Sequence, residues 1–244
     1  MDKRKLNWIT WSFVVLTVLV LAMMLANTLR SPTEIVLPDS STSPDSTDGT
    51  LGDGGDMLVV EVNPSTVQAA IATLDRPEAY RRTLVIEQIW SGGSGSYDIA
   101  EIVRGSWTRT DRTMPDGRVR HTITGPEDVY IWYNSERSVY HGAAGEISAD
   151  NELPIPTYEE ILELDPESIT AASYQDLTGV ACIYTEAQVG EYTLRYWVSV
   201  ESGLLVAAEK LTGGDIVYRM TALTVDQTEP AESEFTLPDG TVLG

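Results

Sequence analysis

Alternation of apolar and polar residues with a period of two dominates the sequence from about residue 80 to residue 225. This period places successive side chains on opposite faces of a β-strand. The breaks between the alternating segments are short and rich in turn-forming residues, which favours antiparallel neighbours. The predicted strands cover residues 80–90, 97–112, 118–124, 129–133, 138–141, 171–174, 180–189, 192–200, 204–211 and 216–225. The pattern therefore predicts a meander of nine or ten antiparallel strands.

Two short helices interrupt these strands. Between Asn63-Pro64, a typical helix start, and Leu74, apolar residues recur at helical spacing. Thr157 and Glu160 have the spacing of a capping box, in which a hydroxyl and a carboxylate satisfy free backbone donors. The predicted fold class is mainly β (α+β).

The alternation also predicts which face of the sheet is buried. In the strands at 192–200 and 216–225, one set of alternate residues is apolar and the other is mixed. Because two short helices cover only part of so wide a sheet, either the sheet curls to close over itself or it leaves an apolar groove. The groove is predicted to be lined by Leu84, Ile86, Val129, Ile131, Tyr133, Tyr196, Val198, Tyr218 and Met220.

The N-terminal 57 residues differ from the rest. Residues 8–26 carry no charge and are long enough to span a bilayer, so residues 8–29 are predicted to be a transmembrane signal-anchor helix. The basic residues 1–7 place the N-terminus in the cytoplasm and the remainder outside the cell membrane. The alternative is a cleaved signal peptide, although cleavage after Ala26 would leave Met24 where a small residue is preferred. Residues 30–57 are predicted to be a disordered acidic linker, and residues 58–244 the extracytoplasmic domain.

The formal charge is −21 for the whole chain. The first 30 residues contribute +3 and residues 31–58 contribute −6, which leaves −18 on the domain. Such a surface repels phosphate backbones, so no nucleic-acid partner is expected. The only cysteine, Cys182, lies in an apolar strand and excludes an internal disulfide; it is predicted to be a small buried hydrophobic residue.

No catalytic constellation is recognisable. The two histidines, His121 and His141, lie in separate predicted strands, and no histidine or cysteine pair has metal-ligand spacing. The glycine- and serine-containing segment 92–96 lacks the Gly-x-Ser-x-Gly pattern and indicates a turn. Glu159, Glu160 and Glu163 have capping and solvating roles on one short helix. The sequence predicts a non-enzymatic protein without catalytic residues, cofactor or metal site.

The C-terminal third carries a family pattern. Residues 192–206 form a tryptophan-containing strand followed by Gly203-Leu204, a hairpin turn follows at 213–215, and residues 235–238 read Phe-x-x-Pro. With the order of helices and strands, this resembles the lipoprotein-carrier (LolA/RseB-like) superfamily over residues 58–244. The resemblance implies an unclosed antiparallel β-barrel with two helices against its concave face, which holds acyl chains or contacts a protein partner. It also implies a lid-controlling arginine, for which Arg81, Arg82, Arg104 and Arg109 are alternatives.

Two functions are therefore predicted. The first is a membrane-tethered, extracytoplasmic, non-catalytic module that binds lipid acyl chains or lipoproteins in the apolar groove. The second is a protein-interaction or regulatory domain that docks onto an exported partner, such as an anti-sigma-type sensor or a cell-wall enzyme, without binding lipid. A salt-dependent interaction is expected of the second function, because the domain surface is acidic.

Overall fold

The computed structural model describes residues 61–134, 136, 138–145 and 154–243. They belong to one compact unit, Val60–Gly244. The predicted transmembrane segment 8–29 and the whole predicted linker 30–57 lie outside the described residues, as do residues 146–153. None of the helices among the described residues is long and apolar enough to cross a membrane.

Eleven antiparallel strands in the described residues form one sheet. Their bounds are β1 Ala79–Trp90, β2 Gly93–Arg104, β3 Trp107–Thr113, β4 Val119–Thr124, β5 Asp128–Tyr133, β6 Tyr140–Ala143, β7 Ile169–Leu177, β8 Val180–Val189, β9 Tyr192–Ser199, β10 Leu205–Thr212 and β11 Asp215–Asp226. The order across the sheet is β6-β5-β4-β3-β2-β1-β11-β10-β9-β8-β7. Strands β6 and β7 are the two edges, so the sheet is not closed. The mainly β prediction is confirmed.

The predicted strand at 97–112 is wrong in one respect. It is two strands, because the chain reverses at Gly105 and Ser106, where Gly105 has a φ of +57°. Residues 93–95, predicted as part of a turn, already pair with β1. These two differences account for the eleventh strand and for a β1–β2 hairpin that is longer than predicted.

Both helices form close to where the sequence predicted them. Helix α1 is Val67–Ala72 and helix α2 is Glu159–Leu162. The start of α1 is later than predicted, because the Asn63 carbonyl accepts from the backbone amides of Thr66 and Val67 in a preceding turn, at 3.0 Å each. The Gln68 side-chain amide ties the helices together by donating to the Ile161 carbonyl at 3.0 Å.

The helices pack on one face of the sheet, which we call the helix-bearing face. Helix α1 buries Val67, Ala70 and Ile71 and contacts β8. The face on the opposite side, the outer face, is covered over another part of the sheet by the C-terminal segment. There Phe235 is buried against Ile123 and Trp132. The sheet therefore has two cores, one on each face and each beside a different group of strands.

Candidate ligand cavity on the helix-bearing face

All nine residues predicted to line a groove lie on the helix-bearing face. Directly opposed residues on neighbouring strands share a face, so the register assigns them. One row runs through Ile86, Met220, Ala208 and Tyr196. A second row runs through Leu84, Ile99, Arg112, Arg120 and Tyr133. Val129, Ile131, Val198 and Tyr218 lie at even spacing from members of these rows on the same strands.

Most of the nine belong to the packed core. Seven of them expose 9% or less of their surface, and only Tyr133 and Tyr218 are half-buried. The three on β5, namely Val129, Ile131 and Tyr133, are separated from β1 by three intervening strands. The structure thus brings together the residues of β1, β9 and β11 and leaves those of β5 apart.

An open cavity of about 480 Å³ lies beside this core. Of the nine predicted residues it is lined by Tyr196 and Tyr218. The sequence prediction missed the other lining residues, which are Gln88, Pro154, Pro156, Glu160, Tyr192, Leu194, Ala208, Glu209, Lys210 and Val217. Tyr192 and Leu194 belong to the same alternating set as Tyr196, so extending that pattern to the start of β9 would have found them.

The walls of the cavity are mainly aromatic and aliphatic, and its three charged residues are Glu160, Glu209 and Lys210. The Tyr196 hydroxyl donates to Glu160 Oε2 at 3.2 Å, which fixes helix α2 against β9. Although the Glu160 side chain as a whole is exposed, its carboxyl end lies against this tyrosine, and the local loss of solvent raises its pKa. On the opposite wall, the Lys210 amine lies 3.7 Å from the centre of the Tyr192 ring.

A polar region adjoins the apolar one on the same face. A small cavity of about 140 Å³ is lined by Arg112, Arg120, three threonines and the segment 154–155. Pro154 lines both this cavity and the larger one. The apolar pattern of the strands at 192–200 and 216–225 does not extend across the whole face, because β3 and β4 place guanidinium and hydroxyl groups there.

A buried ion pair lies in this polar region. Arg82 and Glu101 expose 4% and 7% of their surfaces, and Arg82 Nε donates to Glu101 Oε2 at 2.5 Å. Arg82 also donates to the Leu205 carbonyl at 3.1 Å, and the Tyr80 hydroxyl donates to Glu101 at 3.3 Å. Burial is the main reason that the pKa of Tyr80 is raised, and the Glu101 carboxylate adds to it.

The four arginines that the resemblance left as alternatives differ in their surroundings. Arg81 pairs with Glu234 at 3.0 Å, Arg104 pairs with Glu232, and Arg109 donates to the Glu234 carbonyl, so all three hold the C-terminal segment. Arg82 is the one of the four whose side chain is buried on the helix-bearing face.

Solved structures of other proteins match part of this chain. A structure of MucB in complex with MucA(peri) matches at 14% identity and a TM-score of 0.44, covering 74% of this chain and 62% of that one. A LolA superfamily protein from Nitrosomonas europaea matches at 10% identity and a TM-score of 0.37, covering 70% and 96%. The lipoprotein LppX from Mycobacterium tuberculosis matches at 10% identity and a TM-score of 0.38, covering 69% and 93%.

A LolA superfamily protein is thus among the solved structures to which this chain is similar, and the sequence pattern resembles that superfamily as well. The chain spans less than two thirds of the MucB chain that it matches. No protein-family model and no curated protein matches the sequence. At such low identities the likeness concerns the fold, and the function has to be argued from this chain's own residues.

The outer face of β8–β11 carries an open groove of about 940 Å³. Tyr184 and Trp197 lie in its floor with their rings 5.1 Å apart. A cross-strand ladder of alternating charges runs through Glu186, Arg195, Glu209, Arg219 and Glu87. Three apolar residues at the groove are exposed by a third or more, namely Leu223 at 64%, Val180 at 37% and Val225 at 36%.

The groups with the greatest chemical reactivity have structural partners. His121 Nδ1 lies 2.8 Å from Asp111 and its ring stacks on Trp132, while His141 Nε2 lies 2.8 Å from Asp128. The described residues contain no group of three or more histidine, cysteine, aspartate or glutamate side chains that would hold a metal ion. Cys182 is buried in β8, as predicted, and burial raises the pKa of its thiol to about 11.

Proposed function

We propose that the domain binds an acyl chain of a lipid or a lipoprotein in the cavity on the helix-bearing face. The observation that carries this proposal is the cavity of about 480 Å³ walled by Tyr192, Leu194, Tyr196 and Tyr218. Its size lies within the range of about 300–1,000 Å³ that small-molecule sites occupy, and such sites are mainly apolar with a few polar groups.

Lys210 gives the cavity a place for an anionic head group. It is the one cation among the residues that line the cavity, in a domain whose formal charge is −18. Its amine lies against the Tyr192 ring, within the apolar wall. A carboxylate or phosphate near this amine would be attracted, while the chain it carries would contact the aromatic walls.

We also propose that residues 8–29 anchor the protein in the cell membrane as a single-pass segment and that the domain lies outside the membrane. The support is the uncharged run at residues 8–26, the basic residues that precede it and the acidic segment that follows. A tethered domain delivers or senses its ligand locally, since it cannot diffuse across a compartment.

The binding proposal is tested with the domain comprising residues 58–244, expressed by export and examined by native mass spectrometry followed by lipid extraction. Leu194→Trp narrows the cavity, whereas Thr193→Trp introduces the same ring on the outer face of the same strand. We expect close to one lipid or acyl chain per protein in the unmodified domain and in Thr193→Trp, and a large loss in Leu194→Trp. A clean apo mass for the unmodified domain, or equal loss in both variants, contradicts the proposal.

Docking onto an exported protein is the second candidate, and the groove on the outer face favours it. Exposed Leu223, Val180 and Val225 offer apolar contacts, while the acidic domain suits a partner with basic residues flanking an apolar segment. Trp197→Ala is expected to weaken such binding, and raising the salt concentration is expected to weaken it further. Binding that is insensitive to both changes argues against this surface.

A further inference from the structure

The β1–β2 hairpin continues beyond its neighbours in the sheet. Pairing between β1 and β2 runs to Trp90 opposite Gly93. On one side, pairing of β1 with β11 stops at Gln88, and on the other, pairing of β2 with β3 starts at Asp98. We call residues 89–97 the hairpin tip. Among the described residues, 89–94 form a two-stranded ribbon without a neighbouring strand, whereas 95–97 lack a neighbour only on the β3 side, because their partners 86–88 still pair with β11.

The hairpin tip differs in charge from the rest of the domain. Its sequence, Ile-Trp-Ser-Gly-Gly-Ser-Gly-Ser-Tyr, contains no acid and no base, although Glu87 and Asp98 flank it closely and the domain carries −18. Trp90 is 55% exposed and is the most exposed aromatic residue among the described large hydrophobic side chains. An indole presented to solvent on a neutral ribbon is the main apolar feature of this segment.

Glycines on the facing strand hold the indole in place. A Cβ atom built on Gly93 or Gly95 would lie 3.7 Å or 3.6 Å from the Trp90 ring, so the ring lies directly over these residues. Since neither glycine has a side chain, the ring packs against backbone and its other side stays exposed. The indole is thus oriented before it meets any partner, which lowers the entropy cost of binding.

The hairpin tip lies at the same end of the sheet as the proposed ligand cavity. In the antiparallel order, the turns β1–β2, β8–β9 and β10–β11 all fall at this end. The cavity residues Gln88, Tyr192, Lys210 and Val217 lie within three residues of the strand ends there. A surface touched by the hairpin tip would therefore be close to the cavity.

We propose that the hairpin tip is a contact site for the surface of a lipid bilayer, with Trp90 inserted at the level of the head groups. Tryptophan favours this region, because its ring is apolar and its N–H remains hydrated. Nine residues, six of them glycine or serine, cannot supply the roughly 800 Å² per partner that a stable protein interface buries, whereas a bilayer contact needs only a few apolar side chains. The contact does not depend on the cavity holding a ligand; if both proposals hold, the contact places the cavity beside the membrane.

The lipid composition should matter in a specific direction. Because the domain carries −18, an anionic bilayer repels it, and the neutral tip supplies no compensating base. We therefore expect insertion of the tip to be deeper in phosphatidylcholine vesicles than in vesicles containing phosphatidylglycerol at low salt, with the difference decreasing as salt is added.

The test uses the full chain incorporated in phosphatidylcholine vesicles, with Cys182→Ala and one nitroxide label. The label is placed at Ser94→Cys in the tip or, as a matched control, at Ser106→Cys in the β2–β3 turn at the opposite end of the sheet. Accessibility to oxygen relative to a water-soluble nickel complex is measured by power saturation. We expect the ratio to be lipid-like at residue 94 and water-like at residue 106. Trp90→Ser should bring residue 94 to the water-like value, and Trp90→Phe should retain part of the effect.

A water-like ratio at residue 94 overturns the proposal. A label at residue 94 that is immobile without vesicles also overturns it, because this immobility indicates contact with protein. Circular dichroism of Trp90→Ser checks that the exposed substitution leaves the fold intact. The bound-lipid measurement separates the two proposals. If the cavity holds no lipid but the tip is inserted, only the proposed lipid-binding function is contradicted. If the cavity holds lipid but the tip is solvated, only the proposed membrane contact is contradicted.

Discussion

Breaking the buried ion pair between Arg82 and Glu101 should be among the most destabilising single changes in the domain. Glu101→Leu leaves the guanidinium of Arg82, which exposes 4% of its surface, without its carboxylate partner. The remaining hydrogen bond from Arg82 to the Leu205 carbonyl, at 3.1 Å, does not compensate for the lost charge. An unpaired buried charge of this kind typically costs about 3–5 kcal/mol.

The expected effect is large compared with the whole stability of a domain. Native proteins are stable by about 5–15 kcal/mol, so this single change removes a substantial fraction. For a domain of this length, each kcal/mol lowers Tm by roughly 2–4 °C. The double variant Arg82→Met with Glu101→Leu removes both charges, and we expect it to recover most of the loss, except for about 1 kcal/mol from the unsatisfied carbonyl.

Urea unfolding of residues 58–244, followed by tryptophan fluorescence, measures the four free energies of unfolding in this cycle. A coupling energy of several kcal/mol between positions 82 and 101 is the expected result. The reasoning is refuted if Glu101→Leu costs less than about 1 kcal/mol, or if the two single effects simply add in the double variant.

Three further predictions concern a close backbone contact, a titration and a thiol. Gly203→Ala should destabilise the domain by several kcal/mol more than Gly190→Ala in urea unfolding, because both have positive φ but only at Gly203 would the new Cβ collide with the Asp75 carbonyl. Glu160 has a pKa raised above 4.5, so the folded state binds its proton more tightly and stability falls as pH rises from about 4.5 through the folded pKa. Glu160→Gln should remove this decrease in stability. The free energy of unfolding of the unmodified domain and of Glu160→Gln is measured between pH 4 and pH 7, and the prediction is wrong if the two change in parallel. Cys182, with a thiol pKa raised from 9.0 to about 11, should react with Ellman's reagent on the order of a hundredfold more slowly when folded than when unfolded in urea.

Period-two alternation was sufficient to predict most of the sheet. The strands β8 and β9 begin where the sequence predicted, because glycine-containing turns interrupt a regular pattern there. The β2–β3 boundary was missed, since Gly105-Ser106 is a two-residue turn between segments that both favour strands. A single glycine inside an alternating run predicts a bulge as readily as a reversal, and only the pairing of β2 with β3 distinguishes them.

The composition of the helix-bearing face could be predicted only in part. One set of alternate residues in β9 and β11 is apolar, and its members Tyr196, Val198 and Met220 are buried as expected. In β3 and β4 the same face carries Arg112 opposite Arg120, which a local pattern reads as an exposed surface. Arg112 is buried and Arg120 is half-buried for a tertiary reason, because the distant residues 154–155 line the same small cavity. The alternation within a single strand cannot predict such contacts between distant segments.

The burial of the C-terminal segment could not be predicted from a local pattern either. Residues 227–243 have no regular period, yet Phe235 is 1% exposed and closes the outer core against Ile123 and Trp132. The Phe-x-x-Pro pattern was recognised through the resemblance, whereas its packing partner could not be inferred from spacing. Arg109 and Arg81 hold the segment through Glu234, so ionic contacts as well as apolar burial determine its position.

The uneven cover of the sheet explains why two surfaces stay open. Helices α1 and α2 shield the helix-bearing face near β8, and the C-terminal segment shields the outer face near β4 and β5. The cavity at the ends of β9–β11, which α2 borders only through Glu160, and the groove on the outer face of β8–β11 both remain open. Because alternate residues of β9 point to opposite faces, Leu194 lines the cavity while Trp197 lines the groove, and substitutions on one strand separate the two functions. We expect Leu194→Trp to lose bound lipid but keep partner binding, and Trp197→Ala to lose partner binding but keep bound lipid. This result would show that one sheet serves both lipid binding and partner binding.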